Sequence, residues 1–415
     1  MVKRLALLLC GALVLAAAPR AAQADENGLK IGDGRLHPYF DLETVYDTAA
    51  QLQLNNDGTA SGVGDFIFHF RPGIKLDIPS PNLSINLGAA LEYLVYAGLS
   101  TGTASSLDRL QTECNLDLGI LRGSIVSFDL GDHLTRSNQT TDVGLPFGAL
   151  SLYNDARAAI TIAPGGGSLT ISPGYHFMVE GFSALGNITN TSGNSAVPSD
   201  LSALNYIQHR ITLENRWRFL PKTAVLLDGE YNIRNYNSDV GTAGTGNVNI
   251  NYVKATTGVT GLVTPHFSTV LRLGWAVDTA AGSFNSIIGQ LEGTYLANET
   301  SQVRLGFLRN FEPVSFPYVS YEDDRGYLQG RLGAFGRLTV NAQVMVDYLG
   351  FRGGQARNDL VFTAGAGADF EVTRWFIVSA GDSFTTRASD LKGDPIDAGL
   401  NLSSDQVYLR LTFIY

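Results

Sequence analysis

The chain has 415 residues, 39 acidic against 29 basic side chains, a formal net charge of −10 at pH 7, and two cysteines. That acidic balance excludes the phosphate-neutralising surface on which nucleic-acid binding depends. Two cysteines, one of them Cys10, exclude a disulfide framework. No stretch reaches eighteen consecutive apolar residues, which excludes a membrane-crossing helix.

Residues 1–24, MVKRLALLLCGALVLAAAPRAAQA, read as an export signal. Lys3 and Arg4 precede an apolar core from Leu5 to Ala18, and Ala22-Gln23-Ala24 supplies the small-x-small cleavage pattern. The core is shorter than the about twenty residues a spanning helix requires. Cys10 follows Leu9 where a lipoprotein site needs a small residue, so it is not one. Cleavage after Ala24 removes Lys3, Arg4 and Arg20 and leaves 26 basic against 39 acidic residues, a net −13. Cys114 then stands alone, a thiol expected in apolar surroundings rather than as a reactive group.

From residue 35 onward the dominant period is two, which belongs to strands. In RLHPYFDLETVYD, Leu36, Phe40, Leu42 and Tyr46 oppose Arg35, Asp41, Glu43 and Asp47. In LSINLGAALEYLVY, the set from Leu83 to Val95 opposes Ser84, Asn86 and Glu92. The same alternation runs through LQTECNLDLGI, IQHRITLENRWRF and LTVNAQVMVDY. About eighteen such runs begin near residues 35, 64, 83, 109, 124, 149, 167, 204, 222, 249, 267, 285, 301, 318, 337, 358, 374 and 405. They are longer than the five or six residues usual in globular strands and suit the nine to eleven needed to cross a bilayer.

The breaks between runs alternate in length. Short ones are IPSPN, RGS, APGGG, LPK, TPH, ANET, AFG and VTR; between them stand long connections such as TAAQLQLNNDGTASGVG and FSALGNITNTSGNSAVPSDLS. Short turns at one end and long loops at the other are the plan of an outer-membrane barrel. In lipid every backbone N–H and C=O must find an internal partner, so a sheet can span only as a closed barrel. The expected fold is therefore all-β, a transmembrane antiparallel barrel of about 18 strands over residues 35–415, with residues 25–34 as a short periplasmic lead.

The last strand ends on DQVYLRLTFIY, where Val407, Leu409, Leu411, Phe413 and Tyr415 share one face. This ending resembles the C-terminal signature of Gram-negative outer-membrane proteins. The resemblance implies recognition by the outer-membrane assembly machinery and a final setting among lipid and lipopolysaccharide.

With the apolar face toward lipid, the polar face lines the lumen. Its expected acids include Asp41, Glu43, Glu92, Glu113, Asp117, Asp129, Glu214, Asp228, Glu230, Glu292 and Asp347. Its bases include Arg35, Arg71, Lys75, Arg157, Arg210, Arg216, Arg218, Arg272, Arg304, Arg331 and Arg410. One reading makes these a wet wall of cross-strand pairs. The other makes them, with Tyr39, Tyr153, Tyr252, Tyr327 and Tyr408, a track on which sugar rings stack. The 181–203 loop, as the longest, is the expected constriction. Outward Gly289, Leu291 and Gly293 are a slight sign of an intersubunit face.

The opening ENGLKIGDGRLHPYFDLETVYDTAA resembles that of β-barrel porin 2-like proteins. The resemblance covers about twenty-five residues and implies, for some members, an exit for exopolysaccharide. Export would then need a separate periplasmic partner, a polysaccharide co-polymerase or export protein. The alternative function is a passive porin for small hydrophilic solutes.

Enzymatic patterns are weak. Gly98–Gly102 matches G-x-S-x-G without the strand-to-helix setting of a nucleophile elbow. PGGGS at 164–168 lacks the lysine and helix of a phosphate loop. The six histidines lack metal-ligand spacing, and His133 with Asp129 has no serine partner. Glu322–Arg325 reads as a solvated strand end or a counterion site at the rim. No cofactor, metal or catalytic residue is expected.

Overall fold

The computed structural model describes residues 28–54, 60–99, 107–138, 149–184, 201–237, 249–279, 284–314, 318–353, 357–390 and 401–415. The export signal and most of the 181–203 loop lie outside them.

A short strand β1 (Leu29–Ile31) precedes β2 (Gly34–Leu54), β3 (Ala60–Ile78), β4 (Leu83–Tyr96), β5 (Arg109–Ile120) and β6 (Val126–Ser137). Then come β7 (Ala149–Ile162), β8 (Leu169–Ala184), β9 (Tyr206–Leu220), β10 (Thr223–Tyr236), β11 (Ile250–Thr264), β12 (Phe267–Asp278) and β13 (Asn285–Asn298). The chain ends with β14 (Ser301–Pro313), β15 (Ser320–Ala334), β16 (Leu338–Arg352), β17 (Arg357–Thr373), β18 (Phe376–Ser389) and β19 (Ser403–Ile414). Each strand from β2 onward pairs antiparallel with the next, and β19 pairs with β2, so the sheet closes as an 18-stranded barrel. The expected starts lie within 4 residues of the observed ones, the widest gap being β3 at Ala60. The addition is β1, which folds back on β2 through a turn at Gly32 (φ 59°), so part of the 25–34 lead is itself a strand.

Alternation decides which face is which. Arg71 of β3 meets Glu113 of β5, Arg157 of β7 meets Asp117 of β5, and Lys254 of β11 meets Glu312 of β14. Side chains two or three strands apart converge only on the concave side, so this parity faces inward. The opposite parity carries Leu91, Leu213, Trp217, Leu227, Leu271, Leu291, Leu305 and Leu409, all exposed. The outer face is not wholly apolar. Asp132 accepts from Asn154 at 3.0 Å, and Tyr175 and His209 bond at 2.7 Å. Paired with one another, these groups avoid the full cost of an unpartnered polar group in hydrocarbon. Cys114, half-buried, also sits in the outward parity, opposite Ala89 and Leu134.

The closing seam explains the terminal aromatic. Val407, Leu411 and Phe413 stand opposite Tyr46, Leu42 and Phe40, and Phe413 stacks on Phe376 at 4.9 Å. The Tyr415 N–H donates to the Pro38 carbonyl at 3.0 Å, while His37 bonds the Tyr415 oxygen at 3.1 Å. At this same end of the barrel the short turns are tight. PGGG forms a tight turn with Gly165, Gly166 and Gly167 in the left-handed region, at φ of 65°, 71° and 81°, values a Cβ disfavours.

Candidate functional site

Among the described residues the concave wall gathers most of the charge pairs, and its two ends differ. Toward the short turns, long side chains lie flat across glycines to reach acids two strands away. Arg157 crosses Gly131 to Asp117, Tyr327 crosses Gly306 to donate to Glu292, and Arg272 crosses Gly258 toward Asp228, 3.6 Å away. A Cβ at any of these three glycines would collide with the overlying chain. Tyr408 likewise lies over Gly381 and reaches Gly367, with the Arg410 guanidinium 5.6 Å from its ring.

Other expected wall residues pair locally. Arg410 donates to Glu43, His69 bonds Glu92 at 2.9 Å, and Arg325 donates to Asp347. Arg210 lies 3.5 Å from Glu230, and Arg304 lies 3.6 Å from Glu292. Arg35 stands opposite Asp77, and Asp41 opposite Arg71. Glu214, Arg216, Arg218 and Arg331 have no side-chain hydrogen bond or ion pair among the described residues. A recess of about 340 Å³ opens beside Glu214, Arg216, Asp228 and Arg272.

The long-loop end is filled instead. β14 last pairs with β13 at Arg309 opposite Gly289, yet it stays paired with β15 as far as Pro313 opposite Ser320. Beyond Arg309 the β14 end parts from β13 and bends inward, while β15 stays paired with β16 as far as Ser320 opposite Arg352. Phe311 is 0% exposed, packed on inward Ile250, Tyr252, Ala276 and Ile288 of β11 to β13. The Lys254 ammonium donates to Asn310 at 3.2 Å and to Glu312 at 3.0 Å. On the other flank Val314 and Tyr318 pack with Leu349 and Phe351 of β16 and with Val361 of β17.

Side chains of β13, β15 and β16 meet where β14 bends away. The Arg352 guanidinium lies 5.5 Å from the ring of Phe284, which immediately precedes β13. Glu322 accepts from Ser286 of β13 at 2.5 Å and from Arg352 of β16 at 3.1 Å. Arg309 donates to the Ile287 carbonyl at 3.1 Å, which β14 no longer serves, and to Asp324 at 2.9 Å. The acidic run Glu322–Asp324 is therefore matched by Arg309, Arg325 and Arg352 rather than solvated.

Buried polar groups support this end. Asp359, 0% exposed, accepts from Arg357 at 2.9 Å and from Arg387 at 2.8 Å. Glu180 accepts from Ser151 at 2.6 Å and Tyr206 at 2.7 Å, and Arg234 stacks 3.9 Å above the Tyr206 ring. Sequence reasoning named none of Lys254, Phe311, Glu312 or Asp359 as functional. Parity with Tyr252 marks Lys254 as inward, but nothing local marks its partner fifty-eight positions away.

Beyond the wall, little chemistry assembles. His133 bonds Asn115 while Asp129 pairs with Arg122 at 3.0 Å, so the two do not meet. Among the described residues no group of three or more His, Cys, Asp or Glu could hold a metal ion. Just past β18, Asp390 accepts from the Asn358 backbone N–H at 2.6 Å, which holds its carboxyl below the usual carboxylate value.

No protein-family model and no curated protein matches the chain. Among solved structures it is similar to Acinetobacter baumannii OccAB3, at 10% identity over 93% of this chain and 100% of that one, with a TM-score of 0.48. Pseudomonas aeruginosa OccK7 (OpdD) gives 12% identity, coverage of 93% and 99%, and a TM-score of 0.47. The outer membrane protein OpdK of Pseudomonas aeruginosa gives 12%, coverage of 92% and 98%, and 0.45. Likenesses this distant assign neither cargo nor mechanism to this chain.

Proposed function

We propose that the protein is an outer-membrane channel through which small hydrophilic solutes diffuse passively, its short turns toward the periplasm. The observation that carries this is the closed ladder with exposed leucines on its convex face and charges on its concave face. That polarity is the reverse of a soluble barrel and suits lipid outside with water inside. A closed barrel of this strand number is wide enough for an aqueous path.

Two features favour small solutes over a polymer. The lumen is narrowed at the long-loop end by the bent end of β14, whose Phe311 packs on the inward side chains of β11 to β13. The tyrosine track is also interrupted: Tyr252 is wholly buried beneath Phe311. The polysaccharide reading then rests on the opening segment's resemblance alone.

Reconstitution into planar bilayers and liposomes tests this. Discrete conductance steps are expected, with liposome swelling that falls off as the external sugar grows from mono- to trisaccharide. Absence of conductance would end the channel reading. A deletion strain that loses surface polysaccharide while its periplasmic pool rises would put export first.

A further inference from the structure

We propose that the recess on the inner wall of β8 to β12 is a binding site for a small zwitterion, a free α-amino acid held on its way through the lumen. The inference rests on the channel reading and adds to it a solute class and the place where that solute pauses.

The charges around the recess fall into two separate sets. Glu214 of β9 and Asp228 of β10 stand directly opposite each other. One row nearer the short turns, Arg216 of β9 and Arg272 of β12 flank Leu226 and Gly258. Gly258 brings no side chain and Arg272 lies across it, so the floor between the two guanidinium groups drops to buried Leu226. With Val270 beside it, this floor is apolar, and the hollow above it measures about 340 Å³. That volume is at the small end of ligand sites, which run from about 300 to 1,000 Å³.

These charges satisfy one another poorly. Like charges directly opposite on neighbouring strands repel. Among the described residues Arg272 alone comes within ion-pair distance of the two acids, 3.6 Å from Asp228, and its Nε is buried without an acceptor. Glu214 and Arg216 share a strand face, yet neither has a side-chain partner among the described residues. Elsewhere on the wall acids and bases join directly, as Arg410 does with Glu43 and Arg325 with Asp347.

A zwitterion answers both sets at once. Its ammonium, placed between Glu214 and Asp228, relieves their repulsion. Its carboxylate, turned toward the short turns, accepts charge-assisted hydrogen bonds from Arg216 and Arg272. Its side chain rests on Leu226 and Val270. A simple anion is repelled by the acid pair, a simple cation by the guanidinium groups, and a neutral sugar relieves neither.

The test uses the full-length protein with leucine as the probe. Saturation-transfer NMR in detergent micelles measures retention, and planar bilayers record interruptions of the current. N-acetyl-leucine lacks the ammonium, leucinamide lacks the carboxylate, and glucose lacks both. Each should bind at least about tenfold more weakly than leucine. Glu214→Gln should weaken leucine about tenfold and narrow its lead over N-acetyl-leucine. Arg216→Gln should weaken leucine while sparing leucinamide. Arg331→Gln, a lumen charge outside the recess, should leave retention as in the parent.

Equal retention of leucine and N-acetyl-leucine would reveal a plain anion site, and equal retention of leucine and leucinamide a plain cation site. Either overturns the proposal, as does a protein that retains no probe; discrete conductance steps would then still uphold the channel reading. A silent protein that retains leucine over both analogues supports the site and overturns the channel reading alone. Should a variant fail to fold, the analogue series on the parent decides.

Discussion

At the long-loop end of the inner wall, Asp359 is wholly buried between Arg357 and Arg387, and Phe311 is sealed among three strands. Toward the short turns, Arg216 and Arg218 are exposed with no side-chain partner among the described residues, and Arg272 and Arg304 reach their acids only at 3.6 Å. The same residue types serve opposite ends. Where strand ends pack together, charge is desolvated and must be matched closely. Where the lumen is open, water matches it and pairing is optional. One half of the barrel is thus a packed interior and the other a wetted surface.

That contrast can be broken at its strongest point. Asp359→Ala leaves two guanidinium groups buried without their carboxylate, so it should cost roughly 3–5 kcal/mol. Urea titration of the barrel in detergent micelles would register this as a lowered midpoint. A cost below about 1 kcal/mol would mean that the long-loop end is as wet as the other. Phe311→Ala at the same end should cost about 3–5 kcal/mol if the pocket stays dry, and less if water enters it.

A smaller effect is expected at the glycine crossings. Gly306→Val puts a branched side chain under Tyr327, which must swing into the lumen and release Glu292. Conductance should fall while stability changes by about 1 kcal/mol. Gly293→Val, on the outer face beside Phe267, is the control and should leave conductance unchanged. If both variants conduct alike, side chains laid across glycines do not set lumen width near the short turns.

Most of the barrel was legible in the sequence because both of its requirements are local. Period two marks the strands, and break length marks the two ends. Leu83 to Val95 and Val407 to Phe413 could be assigned to one face without knowing any partner. What lay hidden was long-range. The inward bend of β14 depends on Phe311 finding Ile250 and Tyr252, some sixty positions away. The alternation in LRNFEP, by contrast, gives no sign that the strand departs from the wall. The constriction expected from loop length, at 181–203, falls mostly outside the described residues, whereas the narrowing observed belongs to a much shorter connection. Length reports how much chain is available, not where apolar side chains find a seat.

The gentlest way to sharpen the comparison lies at the open end. Arg216→Gln with Arg218→Gln removes two unpartnered charges from the lumen near the short turns. Because neither makes a contact to lose, stability should shift by less than about 0.5 kcal/mol. The ionic selectivity of the channel should nevertheless move toward cations, since both charges face the solute path while Glu214 and Asp228 remain beside them. Reversal potentials in a salt gradient would measure this, and the shift should shrink as ionic strength rises. A stability loss comparable to that of Asp359→Ala, or a reversal potential that does not move, would mean that these arginines are engaged as tightly as those at the other end. The division of the wall into a packed half and a wetted half would then have to be abandoned.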